Sequence, residues 1–329
     1  MGLKLLPRSH KALQNRRLYE GLAPRLKAGR YHPRMFSYRH AFHAGNHADV
    51  LKHMVLIAIL KHMAQKPAAL MVIDTHAGAG LYRLDDDYAN TSGEPADGVL
   101  KLADATLENP SPLITDYLDA VRNVNRSGQL RLYPGSPFVV QQFLREEARD
   151  RLKLFEMHPT DSQALAGHVA QLEAGRQVSV ARQDGFESLK ALLPPPSRRA
   201  LVLIDPSYEI KSDYAKVTAT MQDSLKRFPT GTYAIWYPII PRPEAHELPR
   251  RLKTLANQAH KPWLHATLNI GQREEALQPL QPGQGQRRQG LTASGMFIVN
   301  PPHTLKAALA TALPQLVEVL GRGRGQGQA

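Results

Sequence analysis

ALMVIDTHAGAG, residues 69–80, reads as a short buried strand that ends on an acid and runs into a glycine-rich turn. A run of apolar residues without polar alternation suits a strand covered on both faces, as in a parallel α/β sheet. A carboxylate at its end, followed by Gly78 and Gly80, lets a nucleotide-like ligand approach the backbone at the C-terminal edge of such a sheet. The stretch is not the six-residue GxGxxG fingerprint. At this point a tight structural turn and a cofactor loop both remain open.

The same alternation continues on either side. Upstream, GNHADVLKHMVLIAILKHMAQK predicts a helix, with Asn46 as N-cap and Asp49 three residues later as a variant of the capping box. Val50, Leu51, Met54, Val55 and Ala58 recur in it at helical spacing. Downstream, strands are expected at RLKLFEMH (151–158), VSVARQDG (178–185), ALVLIDPSY (200–208) and TYAIWYPII (232–240), each followed by a helical stretch. Strands spaced by helices of this length imply crossovers and a mostly parallel sheet. LHATLNI (264–270) and ASGMFIVN (293–300) suggest an antiparallel pair that closes it, joined by the polar, Gln/Gly/Pro-rich loop 271–290.

The organisation that follows has five parts. Residues 1–34 form a basic, flexible extension, 35–81 a motif block with the first strand, and 82–133 an inserted helical subdomain with no clear strand. Residues 134–320 complete the domain, and 321–329 form a flexible tail. The extension carries nine Lys or Arg against Glu20 alone. It is read either as an appendage arising from start-codon choice, with Met35 as a second start, or as an RNA-contacting arm. The net charge of +13 points toward polyanions, although most of it sits in that extension. There are no cysteines, which excludes disulfides and thiolate chemistry. No apolar run is long enough for a membrane-spanning helix. With no secretory signal, a cytoplasmic protein is expected.

Four acids stand at predicted strand ends: Asp74, Glu156, Asp184 and Asp205. Any one acid there is commonly an N-cap, but four at one sheet edge are hard to assign to capping alone. Glu156 stands where nucleotide-binding folds grip ribose hydroxyls, with the insertion accounting for its distance from Asp74. Asp184 and Gly185 close the next strand, where a carboxylate can accept from an adenine amino group. Asp205-Pro206-Ser207-Tyr208 is the most specific element. Its carboxylate and a carbonyl beside the proline can accept both hydrogens of an exocyclic amine, and Tyr208 can stack on the base. Asn300-Pro301-Pro302-His303 has a similar shape, but it ends the last strand and lacks a stacking tyrosine. His40, His43, His47, His53 and His76 do not carry HExxH spacing, and no metal site is expected.

SYRHAFHAGNHADVLKH (37–53), DTHAGAG, YPGSP (133–137), FEMHP (155–159), Asp184-Gly185, DPSY and TASGMFIVNPP together resemble one family. It is the large-subunit methyltransferase J family of bacterial 23S ribosomal RNA adenine-N6 methyltransferases, and the resemblance spans about residues 35–305. It implies a class I S-adenosylmethionine-dependent methyltransferase fold, Rossmann-like, with an inserted helical subdomain and an antiparallel last strand. It implies cofactor contacts at His53, His76, Ser136, Glu156, Asp184, Gly185 and Asp205. Asp205, Pro206 and Tyr208 would be catalytic, Lys52 a helper beside them, and Tyr38 an rRNA contact. The implied partner is 23S rRNA, naked or in a large-subunit precursor, with no membrane and no obligate protein partner. The family motif is DPPY, and Ser207 replaces its second proline. The alternatives are a DNA adenine-N6 methyltransferase, for which no target-reading domain is visible, and a catalytically silent RNA-binding protein of the same fold.

Overall fold

The computed structural model describes residues 43–85, 95–125, 127–272, 290–323 and 325–328. The basic extension, Tyr38, His40 and most of the 271–290 loop lie outside the described residues.

Strand β1 (Met71–Asp74) is the centre of the main sheet, with β4 (Arg151–Phe155) and β6 (Ala200–Ile204) parallel on either side. Beyond β4 lies β5 (Val178–Ala181), and beyond β6 lies β7 (Thr232–Pro238), both parallel to their neighbours. β9 (Ala293–Val299) inserts antiparallel between β7 and β8 (Trp263–Asn269). The order is β10-β8-β9-β7-β6-β1-β4-β5, where β10 is Gly327–Gln328. This is the mostly parallel sheet with a late antiparallel strand that the resemblance implies.

The central strand β6 is apolar and buried throughout because helices cover both faces of the sheet. Along β6, Leu201 and Leu203 point into one core, and Ala200, Val202 and Ile204 into the other. On the first face pack α1 (His47–Met63), α4 (Ser136–Gln141) and α9 (Leu305–Leu320). On the second lie α6 (Gly185–Leu192), α7 (Ser212–Arg227) and α8 (Pro243–Gln258). Helix α5 (Pro159–Ala170) adds Leu165 to the first core.

Helix α1 is buried over nearly its whole circumference, from His47 to Leu60. Its start is fixed by the expected cap: Asn46 Oδ1 accepts from the amides of Ala48 and Asp49, both at 3.0 Å. Asp49 Oδ2 in turn accepts from Gly45 N at 2.9 Å, one residue before the cap. Such caps contribute about 1 kcal/mol, and here they aim the first turn of α1 at the end of β6.

Two expectations are corrected. Residues 82–133 do contain strands: β2 (Leu81–Arg83) and β3 (Leu132–Pro134) pair antiparallel and close the base of the insertion. Its helices α2 (Val99–Asp104) and α3 (Pro112–Asn123) share the core of α1 and α9 through Val99, Leu102, Ile114 and Tyr117. The insertion is therefore a wing of the same core. Three-residue strands pairing across some fifty residues leave no periodicity to read. Residues 321–329 are not simply a flexible tail either. Arg322 pairs with Asp97 of the insertion at 2.8 Å, and β10 pairs with β8. Backbone pairing of this kind needs no strand-forming side chains.

Candidate active site

The C-terminal ends of β1, β4 and β6 open onto a cleft of about 790 Å³. Asp74 closes β1 with no exposure. Its carboxylate accepts from Ser136 Oγ at 2.6 Å and from His76 N at 3.2 Å. The chain then turns through Gly78 (φ 59°) and Gly80 (φ 82°). A Cβ on Gly78 would lie 2.2 Å from the Tyr82 hydroxyl, so only glycine serves there. Gly185, the first residue of α6, approaches the same turn from the other side, where an added Cβ would meet Thr75 O at 2.1 Å. These glycines let the Tyr82 hydroxyl and the Thr75 backbone pack tightly against the turn.

Glu156 follows β4. Its Oε2 accepts from Gly78 N at 2.8 Å and its Oε1 from His158 N at 2.7 Å. Burial pushes its carboxyl above the ordinary value, against those two hydrogen bonds. A carboxylate has about four acceptor positions, so Glu156 both ties down the glycine turn and retains acceptor capacity toward the cleft. Asp184 is the N-cap of α6, accepting from Phe186 N at 2.8 Å and Glu187 N at 3.3 Å. Asp74, Glu156 and Asp205 are not N-caps. His76 stands edge-on to Phe186, with ring centroids 4.7 Å apart. Burial lowers its pKa to about 4, so the imidazole is neutral near pH 7.

Asp205 lies just beyond β6. Its Oδ2 takes a 2.6 Å ion pair from Lys52 Nζ, which also binds Asp49 Oδ1 at 2.8 Å. Burial alone would lower the Lys52 pKa, but Asp205 and Asp49 outweigh it and raise the ammonium above its usual range. The Trp236 ring lies 6.0 Å from that ammonium. Lys52 reaches Asp205 from α1, 153 residues away in sequence.

His76, Ser136, Glu156, Asp184, Gly185, Asp205 and Pro206 all line the cleft, as does Lys52. Two residues expected there do not. His53 is fully buried behind Lys52, its Nδ1 2.8 Å from the Tyr133 hydroxyl. Adjacent helical residues point about 100° apart, so with Lys52 facing the cleft His53 cannot. Tyr208 is also turned inward. It is 2% exposed, donates to Trp236 O at 2.7 Å and packs on Tyr214 with centroids 4.6 Å apart. Its φ of 56° turns the backbone so that Ser207 faces the cleft while the ring does not. The stacking surface expected of it is occupied by the core.

Sequence reasoning did not find Arg242, which lines the cleft and donates to Tyr208 O at 2.8 Å. It sits in PRPE before α8, where nothing local marks it. Asp213 and Lys216, on the first turns of α7, were likewise unmarked.

Comparison with known proteins gives a consistent result. The family profile described as Ribosomal RNA large subunit methyltransferase D, RlmJ, matches residues 67–329. The Escherichia coli K12 protein called Ribosomal RNA large subunit methyltransferase J is 41% identical over 282 residues, covering 86% of this chain and 93% of that one. Its Haemophilus influenzae counterpart of the same name is 39% identical over 287 residues, covering 87% and 94%. A Legionella pneumophila protein of known crystal structure superposes with a TM-score of 0.73 at 30% identity, covering 87% of this chain and 97% of that one.

Proposed function

The chain belongs to the ribosomal RNA large subunit methyltransferase J family, and from that premise we propose how its cleft methylates an adenine of 23S rRNA at N6. The protein is an S-adenosylmethionine-dependent rRNA methyltransferase. When bound, the cofactor supplies an electrophilic methyl group. The residues present suit it. Beside the Gly78 turn Glu156 offers acceptors for ribose hydroxyls, and His76, Ser136 and Asp184 complete the wall.

The observation that carries the assignment is the Lys52–Asp205 pair at the mouth of this cleft. The exocyclic amine of adenine is a weak nucleophile because its lone pair is delocalised into the ring. Lys52 Nζ holds one oxygen of Asp205 at 2.6 Å and so fixes the direction of its side chain. The other oxygen is free to accept one amine hydrogen, and a carbonyl at Asp205 or Pro206 accepts the second. Held this way, the nitrogen lone pair turns out of the ring plane toward the methyl group. After transfer the cationic nitrogen gives its extra proton to the Asp205 oxygen that held it, so Asp205 need not be a strong base beforehand.

The inward position of Tyr208 gives it a positioning role in this arrangement: its carbonyl, anchored by Arg242, and its hydroxyl, anchored to Trp236 O, hold the loop. Tyr38 is proposed as a further rRNA contact. The proposed setting is the cytoplasm, with naked rRNA or a large-subunit precursor as substrate, no membrane and no obligate protein partner.

Incubating the protein with labelled S-adenosylmethionine and unmodified 23S rRNA, then mapping N6-methyladenine, tests the reading. Wild type should label one adenine, and Asp205→Asn should fold normally and label none. Label elsewhere than adenine N6, or near-wild-type turnover by the variant, would overturn it.

A further inference from the structure

Helix α8 buries Ala245, Leu248, Leu252 and Ala256 against the second face of the sheet. At 3.6 residues per turn, His246, Arg250 and Lys253 fall in one row along a flank of the helix, in line with Arg242 just before it. Arg242 lines the cleft. At the far end Lys253 Nζ stands 5.0 Å over the Trp263 ring, whose indole donates to Asn257 Oδ1 at 3.0 Å. From Arg242 to Lys253 the row covers roughly 16 Å at 1.5 Å per residue. It starts in the active-site cleft and leads down the outside of the molecule.

The opposite flank of α8 is neutralised: Arg251 pairs with Glu247 at 2.5 Å, and Glu244 with Lys211 at 3.5 Å. Among the described residues, by contrast, His246, Arg250 and Lys253 are exposed and neither Arg250 nor Lys253 is in an ion pair. A polyanion leaving the cleft past Arg242 therefore meets, along this flank of α8, exposed Arg250 and Lys253 with no ion-pair partner among the described residues.

We propose that the Arg242–His246–Arg250–Lys253 row is a phosphate-contacting track for the rRNA strand flanking the target adenine. The inference rests on the rRNA reading above and adds the face from which the strand enters. Contacts of this kind position a nucleic acid without reading its sequence, and the row, continuous with the cleft, sets which flank of α8 the strand follows.

The test compares full-length wild type with Arg250→Gln/Lys253→Gln, and with Lys190→Gln/Lys226→Gln as a control that removes the same charge from exposed sites on α6 and α7. RNA affinity of each is measured by equilibrium binding to a 23S rRNA transcript over a salt series, and methyl transfer is measured separately. The track variant should lose affinity roughly tenfold, and the slope of log affinity against log salt should fall by about two. Its kcat at saturating RNA and its cofactor affinity should match wild type. An unchanged salt slope, or an equal loss in the control, would overturn the track. Because binding is read independently, wild type that binds RNA but transfers no methyl group would overturn the enzymatic reading while the salt series still decides on the track.

Discussion

Replacing Asp74 by asparagine probes the electrostatics of the cleft floor. Burial raises its carboxyl from 3.8 to about 6 against the Ser136 hydrogen bond, with Asp205 adding to the rise. The folded state therefore binds a proton more tightly at this site than the unfolded chain does. The stability this contributes is complete below pH 3.8 and is lost as pH climbs through 6. A pKa difference of about two, at 1.36 kcal/mol each, makes the full swing ~3 kcal/mol. The substituted amide cannot titrate, and burying it adds a constant cost of about 1–3 kcal/mol for an imperfectly partnered donor. In urea unfolding from about pH 4 to about pH 7, the unfolding free energy of wild type minus that of the variant should therefore fall by about 2–3 kcal/mol. Titrating groups that do not interact with Asp74 cancel in that difference. A gap that stays constant with pH would show that Asp74 ionises normally, and one that grows would show its carboxylate to be stabilised by the fold.

Glu156→Ala should weaken S-adenosylmethionine binding by roughly 1.5–3 kcal/mol, the contribution of charge-assisted hydrogen bonds, and unchanged affinity by calorimetry would remove it from the cofactor site. Ser207→Pro should keep or raise kcat with little change in cofactor affinity, since proline where the backbone suits it stabilises by about 0.4–1 kcal/mol. A large fall in kcat with the fold intact would instead give the serine hydroxyl a role of its own. A chain starting at Met35 should retain methyl transfer while binding RNA more weakly at low salt, because up to eight net charges are lost. Loss of activity on naked rRNA and precursor particles alike would make the extension part of the enzyme.

The parallel core of the sheet was legible because its central strands β1 and β6 are short apolar runs that meet an acid at their C-terminal ends, Asp74 and Asp205. Each strand read from 69 to 300 is present, trimmed at its ends or shifted by a residue, with the glycine turn and the acids at the same edge. The cap of α1 could also be read from Asn46 and Asp49 alone. Pairings between segments far apart in sequence were not legible: the backbone ladders of β2 with β3 and β10 with β8, and the side-chain ion pair of Arg322 with Asp97. Side-chain direction was the other gap. DPSY looks the same in sequence whether Tyr208 faces a ligand or the core, and only its positive φ and its contact with Trp236 O show which. The family resemblance places His53 in the site, but the helical angle from Lys52 turns it away. Arg242 had no local signal because its partner is the carbonyl of Tyr208, 34 residues earlier.

The antiparallel strand β9 also orders the molecule's biosynthesis. β8 is made before β9 yet has no contact with β7 in the sheet, so on leaving the ribosome it has nowhere to pair until residues 293–299 follow. A nascent chain that has reached Asn269 can complete β5-β4-β1-β6-β7 and bury much of the α6–α7–α8 core, but β7 stays an open edge. Closure comes when β8 and β9 add together as a hairpin, with α9 covering the other face within some twenty further residues. Chains arrested between Asn269 and Ala293 therefore carry an unpaired strand edge open to self-association, and α1, with Lys52, still lacks the β9 and α9 surface it packs on.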